Sequence, residues 1–448
     1  MTLSAASLHR LPASAFAGEH AGADPEARRK ASLINILTVT LILCILTQKL
    51  AVPLGEKGLE LPVLITYGMI FILLRKKYIV FSLLRTALFC AFISALTLVT
   101  IFNNFSFSFP SIAAMILIYA IYVFVIPFDK ESYRTLMSRF QIICLIVAGL
   151  VCFNWTLNLL HVPPINLDNY IPEVFRFKNY VYIQPVEWGS PYTKPNAIFF
   201  LETSHTGQFL ALGLIVEFCL FQRFILMGVF AAAVLLTFSG TGTLLVVLTV
   251  PLLFFYLKPA HRLAVILAIP VLLMVAFATG LIDHAAKRST EFSKHGQSGN
   301  GRFVAPFQMI EESVAEGSIG QSLFGIGAGN GKKGEDVLLN PVSKVIIEYG
   351  IVGTVAWFAF ITVAMFGGGT PLAIAWALFV QYHLLNGSLL VPIHTLYCFY
   401  LGGAYVYMKK GQEEEPVMLS DRRDEGPDPS SSPMEPAFAA AMGPSWRK

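Results

Sequence analysis

Charge is scarce in this chain. Asp, Glu, Lys and Arg together make up 13% of its 448 residues, against 55% hydrophobic. Soluble proteins carry about a quarter charged residues, so a water-facing globule of this length is excluded. The net charge of +4 is too small to name a partner. No basic, aromatic-rich polar face exists to track phosphates, which excludes a nucleic-acid binder. The six cysteines, Cys44, Cys90, Cys144, Cys152, Cys219 and Cys398, all fall inside apolar runs, and none has metal-ligand spacing. They read as small core hydrophobes, so neither a disulfide nor a metal site is expected. A removable signal is not expected either. The first apolar run, about 32–52, is too long for a signal-peptide core, and no clean cleavage site follows it. No internal repeat of the kind that builds two-fold transporters is visible.

What the chain has is apolar runs of spanning length, many of them about 18 residues or more. They lie at about 32–52, 60–75, 79–102, 111–127, 139–160, 197–221, 223–239, 242–257, 263–282, 341–366, 370–386 and 389–407. The expected fold is an all-α integral membrane protein of about twelve transmembrane helices. Basic residues orient it. Arg28-Arg29-Lys30 precedes the first run. Arg75-Lys76-Lys77, Lys130 with Arg134 and Arg139, Arg223, Lys258 with Arg262, and Lys409-Lys410 occupy alternate connections. All fall on one side if the first helix runs inside to outside, and such loops stay in the cytoplasm.

Three parts follow. A cytoplasmic N-terminal segment covers 1–31, a polytopic membrane domain 32–410, and a cytoplasmic tail 411–448. The tail is rich in Pro, Ser and Ala without apolar periodicity, which predicts disorder. Two long polar loops, 161–196 and 283–340, then land outside.

Those loops carry Arg176, Arg288 and Arg302. Acids beside them (Asp283, Glu291, Glu311, Glu312, Glu316, Glu335 and Asp336) balance the charge, so ordinary solvated surface is one reading. The other is phosphate binding. A guanidinium grips phosphate in a two-pronged way that lysine cannot copy. Several around a pyrophosphate would stabilise the charge that grows on it as it leaves. Arg302 has the fullest context. Phe303, Phe307, Ile310 and Val314 follow on one helical face, with Gln308, Glu311, Glu312 and Glu316 largely on the other. Pro306 suits a first turn. The spacing predicts an amphipathic helix lying along the membrane–water boundary or packed on the bundle. Gly325, Gly327 and Gly329, with Asn330 after them, form a turn. It either lets backbone N–H groups approach phosphate or simply returns the chain to the membrane. No strand precedes it, so it opens no nucleotide fold.

Polar groups also lie inside the runs. Glu202 is expected about five residues into its span, roughly 7–8 Å below the outer surface, with His205 nearly one turn further. Glu348, His383, Asn386 and His394 share that outer depth, and Glu217 near the inner edge is the exception. A carboxylate at such a depth faces a cavity or a partner. Taken singly, each histidine reads as a satisfied core residue. Their shared depth predicts a polar chamber open to the outside. Glu202 either takes a proton from an attacking hydroxyl or pairs with an outer arginine.

Three stretches then resemble the O-antigen polymerase and ligase superfamily of bacterial membrane proteins, in particular its Wzy-like, exopolysaccharide-type polymerases. Phe200-Leu201-Glu202-Thr203-Ser204 is similar to the family's Phe-x-Glu-Pro-Ser, with Thr203 in place of proline. Ser239-Gly240-Thr241-Gly242 looks like its Ser-x-Thr-Gly turn. Gly301-Arg302, the run Leu323 to Asn330, and Glu348-Tyr349-Gly350 look like its large outer loop and exit. The likeness covers about 200–353, and the twelve-span layout extends it.

The resemblance implies a glycosyltransferase of the bacterial inner membrane. It would polymerise undecaprenyl-pyrophosphate-linked oligosaccharide repeat units at the periplasmic face, without cofactor or metal. Membrane lipids, a chain-length regulator and export proteins are the implied partners. Glu202, Arg302 and Arg288 are the expected catalytic groups. Arg176, His205, Gly325, Gly327, Gly329, Asn330 and Asn340 are the expected substrate contacts. The alternatives are a ligase to another acceptor and a flippase for the same lipid. Ligases carry a His-Asn pair eleven and ten residues before the Glu-x-Gly glycine, where this chain has Leu339 and Asn340, which weakens the ligase reading.

Overall fold

A computed structural model describes residues 25–53, 58–103, 107–178, 180–186, 189–257, 298–315, 317–331, 339–386 and 389–407, with a few single positions between 259 and 274. Most of the expected span 263–282, Arg288 with the first part of the second loop, and the tail 411–448 lie outside the described residues.

The chain is mostly helical. Among the described residues, five helices are long and apolar enough to cross a membrane. They are α1 (Pro25–Thr47), α3 (Leu83–Phe102), α5 (Lys130–Leu159), α6 (Thr203–Val216, prolonged by a wider turn to Phe221) and α12 (Pro341–Phe366). Shorter apolar helices lie between them: α2 (Leu61–Arg75), α4 (Phe109–Ala120), α7 (Phe224–Leu236), α8 (Gly240–Tyr256) and α13 (Leu372–Val380). Helix α14 (Pro392–Cys398) closes the bundle. Polar residues start these helices where backbone N–H groups would otherwise go unpaired. Asp129 accepts from the Ser132 N–H at 2.6 Å, Ser239 from Gly242 at 3.2 Å and Asn340 from Ser343 at 2.9 Å. Many outward side chains are large and apolar, among them Val39, Phe71, Leu83, Ile142 and Ile146. A bundle that shows such residues to its surroundings, with its backbone bonds closed inside helices, is compatible with an all-α membrane protein.

Short strands are present as well. Strands β1 (Ala51–Val52) and β2 (Leu59–Glu60) pair antiparallel. At the other end, β3 (Val80–Phe81), β4 (Phe124–Phe128) and β5 (Tyr405–Tyr407) make a three-stranded sheet in which β4 and β5 run parallel.

The two ends of the bundle differ in chemistry. The basic connections share neighbours at one of them. Arg29 donates to the Lys77 carbonyl at 2.7 Å, Lys30 pairs with Asp129 at 2.9 Å, and Arg139 bonds Asn35. Arg134 sits over the Phe221 ring, and Gln222 donates to the Tyr256 carbonyl. Glu217, the one acid expected deep at this end, is gripped by Arg223 through its N–H, Nε and Nη2. The polar loops meet at the opposite end. Arg176 bridges Leu50, Lys49 pairs with Asp168 at 3.3 Å, and the Leu201 N–H donates to Gln48. Segments of the second loop reach the same end, where Asn103 donates to the Phe324 carbonyl and the Ser108 N–H to the Ala328 carbonyl.

Candidate functional site

The end that gathers the loops also gathers the acid and arginine. Helix α6 begins at Thr203, so Glu202 is the residue before its first turn, not one five residues inside a span. The displacement has a local cause. Ala197 and Ile198 adopt left-handed backbone, φ 51° and 66°, and the Asn196 side chain accepts from the Ile198 N–H at 3.0 Å. The chain therefore enters the bundle as a buried, non-helical turn. Helix α6 is seated by a second device. Gly207 lies against Gly242 of α8 so closely that a Cβ on Gly242 would fall 2.6 Å from the Gly207 carbonyl carbon. The Ser-x-Thr-Gly turn thus packs directly on the first turns of α6.

Arg302 arrives from the second loop. The expected single amphipathic helix is broken into α9 (Ser298–Phe303) and α10 (Ala305–Ile310), followed by a wider turn, Glu311–Ala315, and then by the short α11 (Ile319–Phe324). Val304 holds the break at φ −117° and ψ −58°, and Pro306 lies in the first turn of α10, where its missing N–H costs nothing. Arg302, in α9 just before the break, reaches the start of α6. Its Nη2 stands 3.7 Å from Glu202 Oε2, and Ser204 donates to the same oxygen at 2.9 Å. Charge-assisted hydrogen bonds run at about 2.7–2.9 Å, so this is a loose ionic contact. Arg302 Nε is buried without a partner. The guanidinium is therefore held in place with donor capacity to spare.

Tyr180 of the first loop completes the group. Burial, together with the charges of Glu60 and Glu202, pushes its phenol well above the ordinary value, and Arg302 opposes them. Tyr180 also meets His205 edge to face at 5.8 Å between centroids.

Inward of the pair lies a layer of buried polar side chains. His205 and His394 are edge to face at 4.3 Å, Gln381 Nε2 is 3.3 Å from His394 Nδ1, and it also reaches Gln208 Oε1 at 3.4 Å. Glu60 is fully buried, with Oε2 accepting the Ile393 N–H at 3.1 Å. Among the described residues, four atoms here have no hydrogen-bond partner: Glu60 Oε1, His205 Nδ1, Gln381 Oε1 and His394 Nε2. An unsatisfied buried polar atom costs about 1–3 kcal/mol, so such a concentration is not an economical core.

The remaining expected contacts take other places. Arg176 donates Nη2 to its own loop, to the carbonyls of Asp168 at 2.6 Å and Ile171 at 3.1 Å, and so ties that loop together. Arg288 lies outside the described residues. Gly325, Gly327 and Gly329 all have positive φ. The turn they make is docked on α12. Ile326 N–H donates to Ile347 and Gly327 N–H to Glu348, both at 3.0 Å. Asn330 donates to the Ile326 carbonyl at 2.9 Å, and Asn340 spends its side-chain oxygen on Ser343. In this arrangement the turn's amides at 326 and 327 serve packing. His383 stacks on Phe379 at 4.0 Å with its Nδ1 on the Phe379 carbonyl, and its buried Nε2 has no hydrogen-bond partner among the described residues. Glu348 is fully buried beside Lys344, one turn earlier on α12.

Glu60, Tyr180, Gln208 and Gln381 were not legible as site residues. Glu60 looks like the polar edge of a span, and the glutamines look like single polar interruptions of apolar runs. A signal existed in Glu60 alone, an acid directly at the mouth of an apolar run.

Against models of known protein families the chain gives no match, and no curated protein matches it.

Proposed function

We propose that this is a membrane glycosyltransferase that polymerises oligosaccharide repeat units carried on undecaprenyl pyrophosphate. The observation that carries the reading is the Arg302–Glu202 contact, 3.7 Å long, partly open, and placed at the end where both polar loops converge. In this account the bundle spans the inner membrane about twelve times, its basic end lies in the cytoplasm, and the loop end lies in the periplasm.

The chemistry follows from the groups present. A hydroxyl of one lipid-linked unit attacks the anomeric carbon of another. The new C–O bond forms as the bond to the pyrophosphate oxygen breaks, and undecaprenyl pyrophosphate leaves. Arg302 binds that pyrophosphate and stabilises the charge that develops on it. Glu202 holds the guanidinium before the substrate arrives. Once phosphate oxygens take the arginine, the carboxylate is released to accept the hydroxyl proton. The buried polar layer of His205, Gln208, Gln381 and His394 lies next to the Glu202–Arg302 pair, near the loop end, which favours surface chemistry over passage through the membrane, because a carrier concentrates such groups along a central path.

Deletion of the gene tests the class. Loss of long polymer with single repeat units still made and exposed outside is the expected result. Lipid-linked units trapped on the cytoplasmic side would instead identify a flippase.

A further inference from the structure

Helices α6, α13 and α14 meet just inward of the Glu202–Arg302 pair, and each contributes polar side chains to the same spot. His205 and Gln208 come from α6, Gln381 from the wider turn that prolongs α13 (Gln381–Leu385), and His394 from α14. All four are at least nine-tenths buried. They touch one another in sequence, from the His205–His394 ring contact through His394–Gln381 to Gln381–Gln208. Yet His205 Nδ1, Gln381 Oε1 and His394 Nε2 have no hydrogen-bond partner among the described residues. Imidazole and carboxamide groups offer both donors and acceptors, which is the chemistry that reads hydroxyl groups. A phosphate is drawn to Arg302 instead, and the carboxylates of Glu60 and Glu202 disfavour an anion further in. Among the described residues no group of His, Cys, Asp and Glu suited to a metal ion occurs. The half-buried ring of Tyr180, edge-on to His205, supplies an apolar face of the kind a sugar ring lies against.

We propose that His205, Gln208, Gln381, His394 and Tyr180 form a saccharide subsite that takes up hydroxyls of the lipid-linked oligosaccharide while Arg302 holds its pyrophosphate. This deepens the polymerase reading and rests on it. The division of labour is spatial: charge recognition at the mouth, hydroxyl recognition one to two helical turns inward.

Binding measurements on the purified full-length protein in lipid nanodiscs separate the two roles. The probes are bare undecaprenyl pyrophosphate and the host's own undecaprenyl-pyrophosphate-linked repeat unit. The wild type should bind the sugar-bearing lipid about tenfold tighter or more, because a site built to bond hydroxyls discriminates against a ligand that lacks them. Gln381→Leu should reduce that affinity to the level of the bare carrier and leave binding of the bare carrier unchanged, which also shows that the variant is folded. If Gln381→Leu does not fold, Gln381→Asn withdraws the amide by one methylene and should give the same loss. Arg302→Ala should weaken both lipids alike. Equal affinity of the wild type for both lipids would mean that the layer holds water only, and would overturn the subsite. So would a Gln381 variant that keeps the full preference. Failure of Arg302→Ala to weaken either lipid would remove the pyrophosphate reading while the Gln381 result still decides the subsite.

Discussion

Gly325 and Gly350 meet backbone to backbone. A Cβ on Gly325 would fall 2.5 Å from the Glu348 carbonyl, and one on Gly350 would fall 2.5 Å from the Gly325 nitrogen. Both have positive φ, 67° and 61°. Gly350 interrupts α12 with a non-helical kink, and the glycine turn of the second loop seats in it. The pairing explains why glycines stand at both places, and it seats the second loop on α12.

Gly350→Ala should therefore destabilise the protein by about 1–3 kcal/mol, since it strains the backbone and displaces the turn. Gly149→Ala is the control. Gly149 lies within α5 with open space around it, and alanine there should be neutral or stabilise by up to about 1 kcal/mol. Thermal midpoints of both variants in the same detergent check the contrast.

Glu202→Gln keeps the size of the side chain and the bond from Ser204 but removes the charge. If this carboxylate takes the hydroxyl proton, polymer formation from purified lipid-linked units should fall by about a hundredfold or more. A rate within a factor of about three of wild type would confine Glu202 to holding Arg302.

Arg223 and Glu217 give the opposite expectation. Their three-bond grip lies at the basic end, with Glu217 fully buried and Arg223 45% exposed. Arg223→Gln should lower the thermal midpoint, because it leaves a buried carboxylate without its cation. The loss should fall short of the about 3–5 kcal/mol of a fully buried pair, since the arginine side is wet. Polymer length on a gel should not change.

The sidedness of the bundle is tested by labelling. Arg176→Cys and Arg302→Cys, in a chain freed of its own cysteines, should both react with a membrane-impermeant thiol reagent added to whole cells, whereas Lys76→Cys should react only after lysis. Positions 176 and 302 on opposite faces would break the account of the loops.

Much of the bundle was legible because apolar length and basic connections are collective signals, carried by many residues at once. The starts of α8 and α12 were close to their expected places for the same reason, each marked by a capping Ser239 or Asn340. What escaped was set by single backbone choices. Glu202 was expected inside a span, but Ile198 takes a left-handed conformation that β-branched residues rarely adopt, and the buried Asn196 turn holds it there. The helix after Arg302 was expected whole, and nothing in its apolar spacing announced the break at Val304. Side chains that find one another only through folding were the least legible. Gln208 and Gln381 are 173 positions apart in the chain, and no spacing rule joins them.

The central claim is that Arg302 serves polymerisation. The most direct measurement is the polymer profile, on a gel, of a strain whose only copy of the gene carries Arg302→Ala, with membrane insertion of the variant verified. The account predicts that long chains disappear while single repeat units accumulate. Chains of normal length and amount would contradict it.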